Sequence, residues 1–275
     1  MRLKPETLSQ MADEIRLDCL RMGLNTGVNG AHFGGGLSLV EIMAVLYGHV
    51  MRIDPSKPRW EERDRFILSK GHGAMAYYAA LKQVGFVTDE ELMTFKSNDT
   101  FLYGHPSMNV ERGIEFSSGS LGLGLALGVG TALGLRLKGI DQPRVYVLLG
   151  DGECNEGSVW ESAISAAHFG LTNLTVVIDK NGLQYDGATD SILDMGDLAK
   201  KFESFGWTAF VVNGHDIGEL LTVFENRTDR PIAIVANTVK GKGVPYMENN
   251  AVWHHNRLSQ KQFDDIVKDS GKNND

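Results

Sequence analysis

Two residues separated by thirty positions frame the chemistry open to this chain: Asp151, inside Gly150-Asp151-Gly152-Glu153, and Asn181, closing Asp179-Lys180-Asn181. Each stands just past a continuous apolar run, Val145–Leu149 in the first case and Leu174–Ile178 in the second. If both runs are strands of one parallel sheet, both side chains reach one site, because ligands of open parallel sheets bind beyond the carboxyl ends of the strands. A carboxylate oxygen and an amide oxygen are hard donors suited to Mg2+, with Ca2+ or Mn2+ as substitutes. Mg2+ keeps few protein ligands and fills its shell with phosphate oxygens, so the pair implies a bound diphosphate. Gly150 and Gly152 would let the backbone approach those phosphates. An Asp-Gly turn and a helix-capping Asn are the plain alternative, and either residue alone would be read that way. The order strand, Gly-Asp-Gly, helix, strand, Asn is far more specific.

Such a site needs a sheet with covered faces. A third continuous run, Ile232–Ala236, fits, as does Ala209–Val212, while a polar connection from Asp54 to Arg65 leads to the short run Phe66-Ile67-Leu68. Continuous hydrophobicity marks strands buried on both faces, so Val145–Leu149, Leu174–Ile178 and Ile232–Ala236 are expected in the sheet interior. Helical stretches lie between them at Glu156–Phe169, Leu198–Phe205 and Ile217–Glu225. The expected fold is therefore α/β, a doubly wound, mostly parallel sheet flanked by helices. Pro5 opens a helix with Leu8, Ala12, Ile15, Cys19 and Met22 on one face, ending at Gly23. Ser38 with Glu41, and Thr88 with Glu91, have capping-box spacing, the first pair opening a helix expected to reach Val50. From Ser117 to Leu135 no charge occurs over nineteen residues, near membrane-span length. A lone membrane helix is one reading. A buried core helix whose Gly124 and Gly128 admit close neighbours fits better, because a strand and a catalytic-looking turn follow at once. A single domain over residues 1–275 is expected, with a polar, frayed tail at 270–275.

Composition bounds the partners. With 275 residues, the chain should bury about 73% of its extended surface. Twenty-seven basic against thirty-five acidic residues give −8, which argues against nucleic acid or an anionic membrane as the main partner. Two cysteines, Cys19 and Cys154, exclude a disulfide framework and point to a reducing compartment, the cytoplasm. Met1 to Glu6 lacks the apolar start of a secretory signal. The thirty-two glycines exceed the roughly 19 of average usage and mark places of close approach.

Taken in order, the motifs resemble those of the transketolase family. Gly150-Asp151-Gly152 followed by Asn181 is similar to the thiamine diphosphate signature, and the surrounding sequence resembles the N-terminal, diphosphate-binding region of transketolases. The resemblance spans almost the whole chain. It takes in Gly30-Ala31-His32, Ser69-Lys70-Gly71-His72-Gly73, Gly104-His105-Pro106, Ser118-Gly119-Ser120-Leu121-Gly122 and Gly150–Gly157. It continues through Lys180-Asn181-Gly182-Leu183, Gly214-His215-Asp216, Thr238-Val239-Lys240-Gly241-Lys242-Gly243 and Trp253-His254. It implies the thiamine-diphosphate-binding fold of the diphosphate-binding type, with thiamine diphosphate and Mg2+ as cofactors. By it, Asp151 and Asn181 ligate the metal through side chains and Leu183 through its carbonyl. His72 bonds the diphosphate, Gly119, Ser120 and Leu121 line the cofactor, and the backbone of Gly152 and Glu153 meets the diphosphate. Lys240 sits near the cofactor. Glu156 matches a glutamate at the interface linking two active sites; the plain alternative is an acid favoured in the first turn of a helix.

Of the eight histidines, the resemblance places His32, His105 and His254 against the reacting atoms of a sugar. Ketol transfer breaks a C2–C3 bond, so a hydroxyl must lose a proton and an alkoxide must gain one. Groups titrating near neutrality can do both, while the carbanion is stabilised by the thiazolium ring. His215 is read as a turn before a helix, and His49 and His168 as helix surface or core. Two departures stand out. Phe33-Gly34-Gly35-Gly36 replaces the Pro and Ala of many relatives and predicts a flexible loop. His255 follows His254 where glycine is usual, and His254 is preferred because it follows Trp253.

In transketolases the glutamate that activates the cofactor lies in a second domain, C-terminal to the region matched here. No second glycine-rich α/β unit follows Trp253-His254. The resemblance therefore implies one part of a split transketolase, moving a two-carbon ketol group between sugar phosphates only with a separate pyrimidine-binding C-terminal subunit, in a heterotetramer of two copies each. The Gly119–Gly134 segment belongs either to that interface or to the core. Alternatives are a subunit of a deoxyxylulose-phosphate synthase-like or 2-oxoacid dehydrogenase-like enzyme, or a non-catalytic cofactor-binding subunit. The set His32, His72, His105 and His254 favours ketol transfer.

Overall fold

A computed structural model describes residues 2–271. Strands β1 (Arg65–Leu68), β2 (Val145–Gly150), β3 (Leu174–Lys180), β4 (Thr208–Asn213) and β5 (Ile232–Asn237) form one sheet in the order β1-β2-β3-β5-β4, every pair parallel. The first helices are α1 (Pro5–Asn25), α2 (Phe33–Leu37), α3 (Val40–Val45), α4 (Ala74–Gln83) and α5 (Asp89–Leu92). They are followed by α6 (Leu123–Leu137), α7 (Gly157–His168), α8 (Thr189–Leu193), α9 (Leu198–Ser204), α10 (Ile217–Glu225) and α11 (Gln260–Gly271).

The pleat explains the continuous apolar runs. Val145, Val147 and Leu149 join a core with α6, α7 and α9, whereas Tyr146 and Leu148 join another with α1, α3, α4 and α10. Successive side chains of a strand point to opposite faces, and both faces are covered here. β2, β3 and β5 are the interior strands, as their hydrophobicity predicts. β4 belongs to the sheet but forms an edge paired only with β5, and its Val211 is 59% exposed.

Several local expectations are corrected. α1 runs past Gly23 to Asn25, the Phe33 ring occupying the space a side chain would take. Thr88 and Glu91 form both bonds of a capping box, but Ser38 and Glu41 do not. Ser38 Oγ donates to Asp179 Oδ2 at 2.7 Å, and Glu41 accepts from Arg16 and pairs with His215. Both side chains are buried, where distant charged groups compete for them better than a local amide does. A single π-helical turn, Leu46–Val50, prolongs α3 to the expected end. α11 includes residues 270 and 271 of the expected frayed tail; residues 272–275 lie outside the described residues.

The uncharged Ser117–Leu135 stretch is a lead-in followed by α6, and no helix among the described residues is long and apolar enough to cross a membrane. Its glycines do admit close neighbours: a Cβ on Gly124 would overlap Ser69, and one on Gly128 would overlap Val147. Burial is one-sided, however. Leu125, Val129 and Ala132 face the sheet, while Leu123 is 52% and Leu137 78% exposed. The core-helix reading therefore holds for one face of α6 only.

Gly128→Ala should destabilise the isolated chain by about 1–3 kcal/mol through overpacking against β2. Gly130→Ala, on the same helix with open space around it, should stabilise it by roughly 0.5–1 kcal/mol. Urea unfolding of both variants checks the contrast, which disappears if α6 does not press on β2.

Candidate active site

All five parallel strands end at the same edge, and the loops after β1, β3 and β5 meet at one buried carboxylate. Asp179 has no exposed surface and accepts from Lys70 Nζ, Thr238 Oγ1, Ser38 Oγ at 2.7 Å and Asn181 Nδ2 at 2.9 Å. These donors come from the loops after β1 and β5, from the end of α2 and from the end of β3. Burial pushes the Asp179 carboxyl up, but the Lys70 charge and the bonds from Lys70, Thr238 and Ser38 outweigh it and hold the group below the usual carboxylate range. Sequence reading assigns Lys70 and Asp179 no role. The available signal is a charge at the end of an apolar run, which must find a partner if the run is buried.

Around this anchor, the turn after β2 that carries Asp151 meets the turn after β3 that carries Asn181. The Asp151 N–H donates to the Asp179 carbonyl at 3.1 Å, and Asp151 Oδ2 accepts from the Gly182 N–H at 2.7 Å. The Asn181 amide is oriented by its bond to Asp179, and its Oδ1 accepts from the Leu183 N–H at 3.2 Å. The Leu183 carbonyl accepts from the Lys240 ammonium at 2.8 Å, so a positive charge already stands at that oxygen. Burial and the Asp179 charge push the Asp151 carboxyl up, against the Gly182 and Gly152 amides and Lys70. A cation beside Asp151 would oppose that shift. Carboxylate, amide and carbonyl oxygens on these two adjoining turns fit a hard divalent cation. Among the described residues no three His, Cys, Asp or Glu side chains form such a site, so amide and backbone oxygens have to complete it.

Next to these turns lies a group of imidazoles centred on His32. Its ring centroid is 5.7 Å from His72, 5.6 Å from His105, 5.5 Å from His254 and 4.6 Å from His255. A two-way backbone bridge between Ala31 and Asn256 holds the segments together. Burial, followed by the neighbouring His255, His254 and His105, lowers His32 to about 3. Burial and then Lys240 and Lys70 lower His254 to about 4. His72, His105 and His255 are lowered as well, burial leading in each case. All five rings are therefore uncharged at neutral pH. His254 Nδ1 lies 3.0 Å from Lys240 Nζ, and an ammonium only donates, so the ring proton sits on Nε2. Burial and then Lys70 lower Lys240 to about 8, against Asp179 and Asp151.

Sequence reading prefers His254 to His255 and passes over two other members of this neighbourhood, Tyr185 and Lys96. His255 comes nearer to His32 than His254 does. The Tyr185 ring stands edge-on to His254 at 5.3 Å. Lys96 donates to the Gly30 carbonyl at 2.7 Å and adds a cation near His32, His105 and His255. Tyr185 and Lys96 carry no distinguishing local pattern, because each reaches the site from a loop.

The remaining residues divide between lining and bracing. Gly119, Ser120 and Leu121 lie on an exposed turn, with Gly119 beside His105. Ser118 Oγ, next to Gly71, is buried without a hydrogen-bond partner among the described residues. Gly152 is covered by the Gln184 side chain. The Glu153 side chain is a brace, accepting from Ser69 Oγ, from the Gly122 N–H at 2.8 Å and from the Gly150 N–H at 3.1 Å. Glu156 is exposed at the residue before α7 and makes no capping bond, so the first-turn reading does not describe it. His215 is more than a turn residue. Its Nδ1 lies 2.8 Å from Glu41 Oε2, and its Nε2 accepts from the Val239 N–H at 2.8 Å, which fixes the residue before Lys240. The glycines of Phe33-Gly34-Gly35-Gly36 form buried helix α2 instead of a flexible loop. A Cβ on Gly34 would come within 2.9 Å of Lys240, and one on Gly35 within 2.8 Å of His72.

Lys70→Met should destabilise the chain by about 3–5 kcal/mol, because it leaves Asp179 charged, buried and without its cation. Denaturant unfolding measures this, and a loss below about 1 kcal/mol would show that the hydroxyl and amide donors suffice alone.

Comparison with known proteins agrees with this geometry. The family described as transketolase, thiamine diphosphate binding domain, matches residues 8–275. The chain is 39% identical over 255 residues to an apulose-4-phosphate transketolase subunit of Actinobacillus succinogenes, covering 92% of each chain. It is 37% identical over 244 residues to the 6-deoxy-6-sulfo-D-fructose transketolase subunit SqwG of Clostridium sp. (strain MSTE9), covering 88% of each. Transketolase from Campylobacter jejuni has a similar structure, with a TM-score of 0.88 at 27% identity over 98% of this chain. This chain spans only 43% of that protein's length. It belongs to the transketolase family, as a thiamine diphosphate binding domain.

Proposed function

We propose that this chain is the cofactor-diphosphate and Mg2+ subunit of a split transketolase, transferring a two-carbon ketol group from a ketose phosphate to an aldose phosphate together with a separate partner chain. The observation that carries the reading is the oxygens of Asp151, Asn181 and Leu183, on adjoining turns, set beside the imidazoles around His32. Relatives named as transketolase subunits match this chain over most of their own length, 85% in one case and 92% in another, which supports a partner chain. An apolar face of α6 left open at Leu123 and Leu137, with exposed Glu156 nearby, supports an interface there. Two copies of each chain would satisfy an arrangement in which sites lie between unlike subunits.

In this reading Asp151, Asn181 and the Leu183 carbonyl hold the metal. His72 and Lys240 meet the diphosphate, Lys240 as a point charge. The turn at Gly119, Ser120 and Leu121 lines the cofactor, and the backbone of Gly152 and Glu153 faces its phosphates. Thiamine diphosphate, when bound, supplies the electron sink for C2–C3 cleavage. His32, His105 and His254 accept the sugar hydroxyl proton and return one to the new alkoxide. Their uncharged state at pH 7 leaves a lone pair free for the first transfer, and a bound anionic diphosphate would raise their pKa values toward the range where exchange works best. With a net charge of −8, attraction of anionic substrates falls to these local cations, since screening removes most interactions beyond about 8 Å.

Two assays test the reading. The chain alone should show no ketol transfer from xylulose 5-phosphate to an aldose phosphate, and a co-purified partner should restore it. Full transfer by the chain alone overturns the split assignment, and a preference for pyruvate moves it to the decarboxylating enzymes. Calorimetric titration separates the residues. Asp151→Ala should abolish Mg2+-dependent thiamine diphosphate binding, whereas His105→Ala should bind normally and lose roughly 10²–10⁴-fold in turnover.

A further inference from the structure

The opposite end of the sheet has its own concentration of charge. Arg144 immediately precedes β2, Arg52 follows the π-helical turn after α3, and Arg227 follows α10. All three line a cavity of about 380 Å³, together with Tyr146 and Asp64.

The negative charge at hand does not neutralise them. Asp64 is buried and already committed: Oδ2 accepts from the Arg52 N–H at 2.7 Å, while Oδ1 accepts from the Arg144 N–H at 2.8 Å and Arg52 Nη2 at 3.4 Å. Arg227 Nη1 donates only to neutral carbonyls, of Phe224 at 2.9 Å and Asn226 at 2.8 Å. The Arg144 guanidinium makes no hydrogen bond or ion pair among the described residues. Arg2 and Asp141 also line the cavity, exposed and of opposite sign. Four arginines (Arg2, Arg52, Arg144 and Arg227) against two aspartates (Asp64 and Asp141) leave the lining with an excess of positive charge, and neither Arg144 nor Arg227 has a side-chain ion pair among the described residues.

Tyr146 adds a hydroxyl to this lining. It is 1% exposed and lines the same cavity, and its hydroxyl has no hydrogen-bond partner among the described residues. That hydroxyl keeps access to solvent, so it needs no protein partner and is free to donate to a ligand in the cavity.

We propose that this cavity binds a small phosphate-bearing anion at a site separate from the candidate active site. A phosphate group accepts bidentate bonds from guanidinium forks and carries close to two negative charges, which matches Arg144 and Arg227. The Tyr146 hydroxyl donates to a remaining oxygen. The volume lies near the lower end of small-ligand sites and leaves room for a short carbon skeleton on the phosphate. The two sites are joined by β2, with Tyr146 near its start and Gly150 at its end, about 13 Å apart at roughly 3.3 Å per residue.

Calorimetric titration of the full chain, at fixed salt and without thiamine diphosphate or Mg2+, uses inorganic phosphate in one arm and glycerol 3-phosphate in the other. Saturable binding is expected in at least one arm. Tighter binding of glycerol 3-phosphate assigns the site to a phosphate ester, and equal or tighter binding of inorganic phosphate assigns it to the free ion. Arg144→Met should weaken binding at least tenfold, and Lys240→Met, at the other end of the sheet, should leave it unchanged. Arg227→Gln gives the same reading if Arg144→Met does not fold, and Tyr146→Phe should weaken binding while keeping the ring in the core. No saturable binding in either arm, or binding lost in Lys240→Met and retained in Arg144→Met and Arg227→Gln, overturns the proposal.

Discussion

An ammonium and a carboxylate shut away from water, on Lys70 and Asp179, hold the candidate site in register with the sheet. Such a pair adds little net stability, since the cost of desolvating both charges offsets most of their attraction. Its consequence is geometric. An unpaired buried charge is far more costly than a paired one, so any arrangement that separates the two is excluded. Asp179 also accepts from Ser38, Thr238 and Asn181, so one carboxylate ties together the loops after β1, β3 and β5 and the end of α2. Each of those segments carries or adjoins a residue of the site: His72 follows Lys70, Lys240 follows Thr238, and His32 precedes α2.

The same burial decides the electrostatic character of the site. Five imidazoles crowd together because none is charged, and they stay uncharged because burial and the nearby lysines disfavour a further positive charge. Lys240 remains the cation at the Leu183 carbonyl, between the oxygen-bearing turns and His254. A chain that is acidic overall thus presents neutral donors and acceptors with local positive charge at one end of its sheet. At the other end, four arginines outnumber the two aspartates that line a cavity. Both ends suit anions for reasons of short-range placement, which net charge does not report.

Glycine serves close approach more than mobility. Gly34 and Gly35 lie in a buried helix because Lys240 and His72 press against them, and Gly124 and Gly128 let α6 sit on Ser69 and Val147. A flexible loop at Phe33–Gly36 would not hold His32 against four other rings. The glycine excess and the density of the site are two views of one packing requirement.

Patterns with a short period were legible in the chain itself. Continuous hydrophobicity identified β2, β3 and β5 as interior strands because both faces of the sheet are covered, and the capping box at Thr88 and Glu91 needed only residues three apart. The convergence of Asp151 and Asn181 was also legible, since parallel strands must end at the same edge. Contacts between distant segments were not. Lys70 meets Asp179 across 109 residues of sequence, and Ser38 and Glu41 abandon a valid capping spacing for partners brought by other elements. The edge position of β4, the one-sided burial of α6 and the approach of His255 and Tyr185 follow from strand order and loop packing. Local periodicity records which face of an element is buried; what lies against that face depends on how the chain returns, and a free energy summed over many distant contacts selects it.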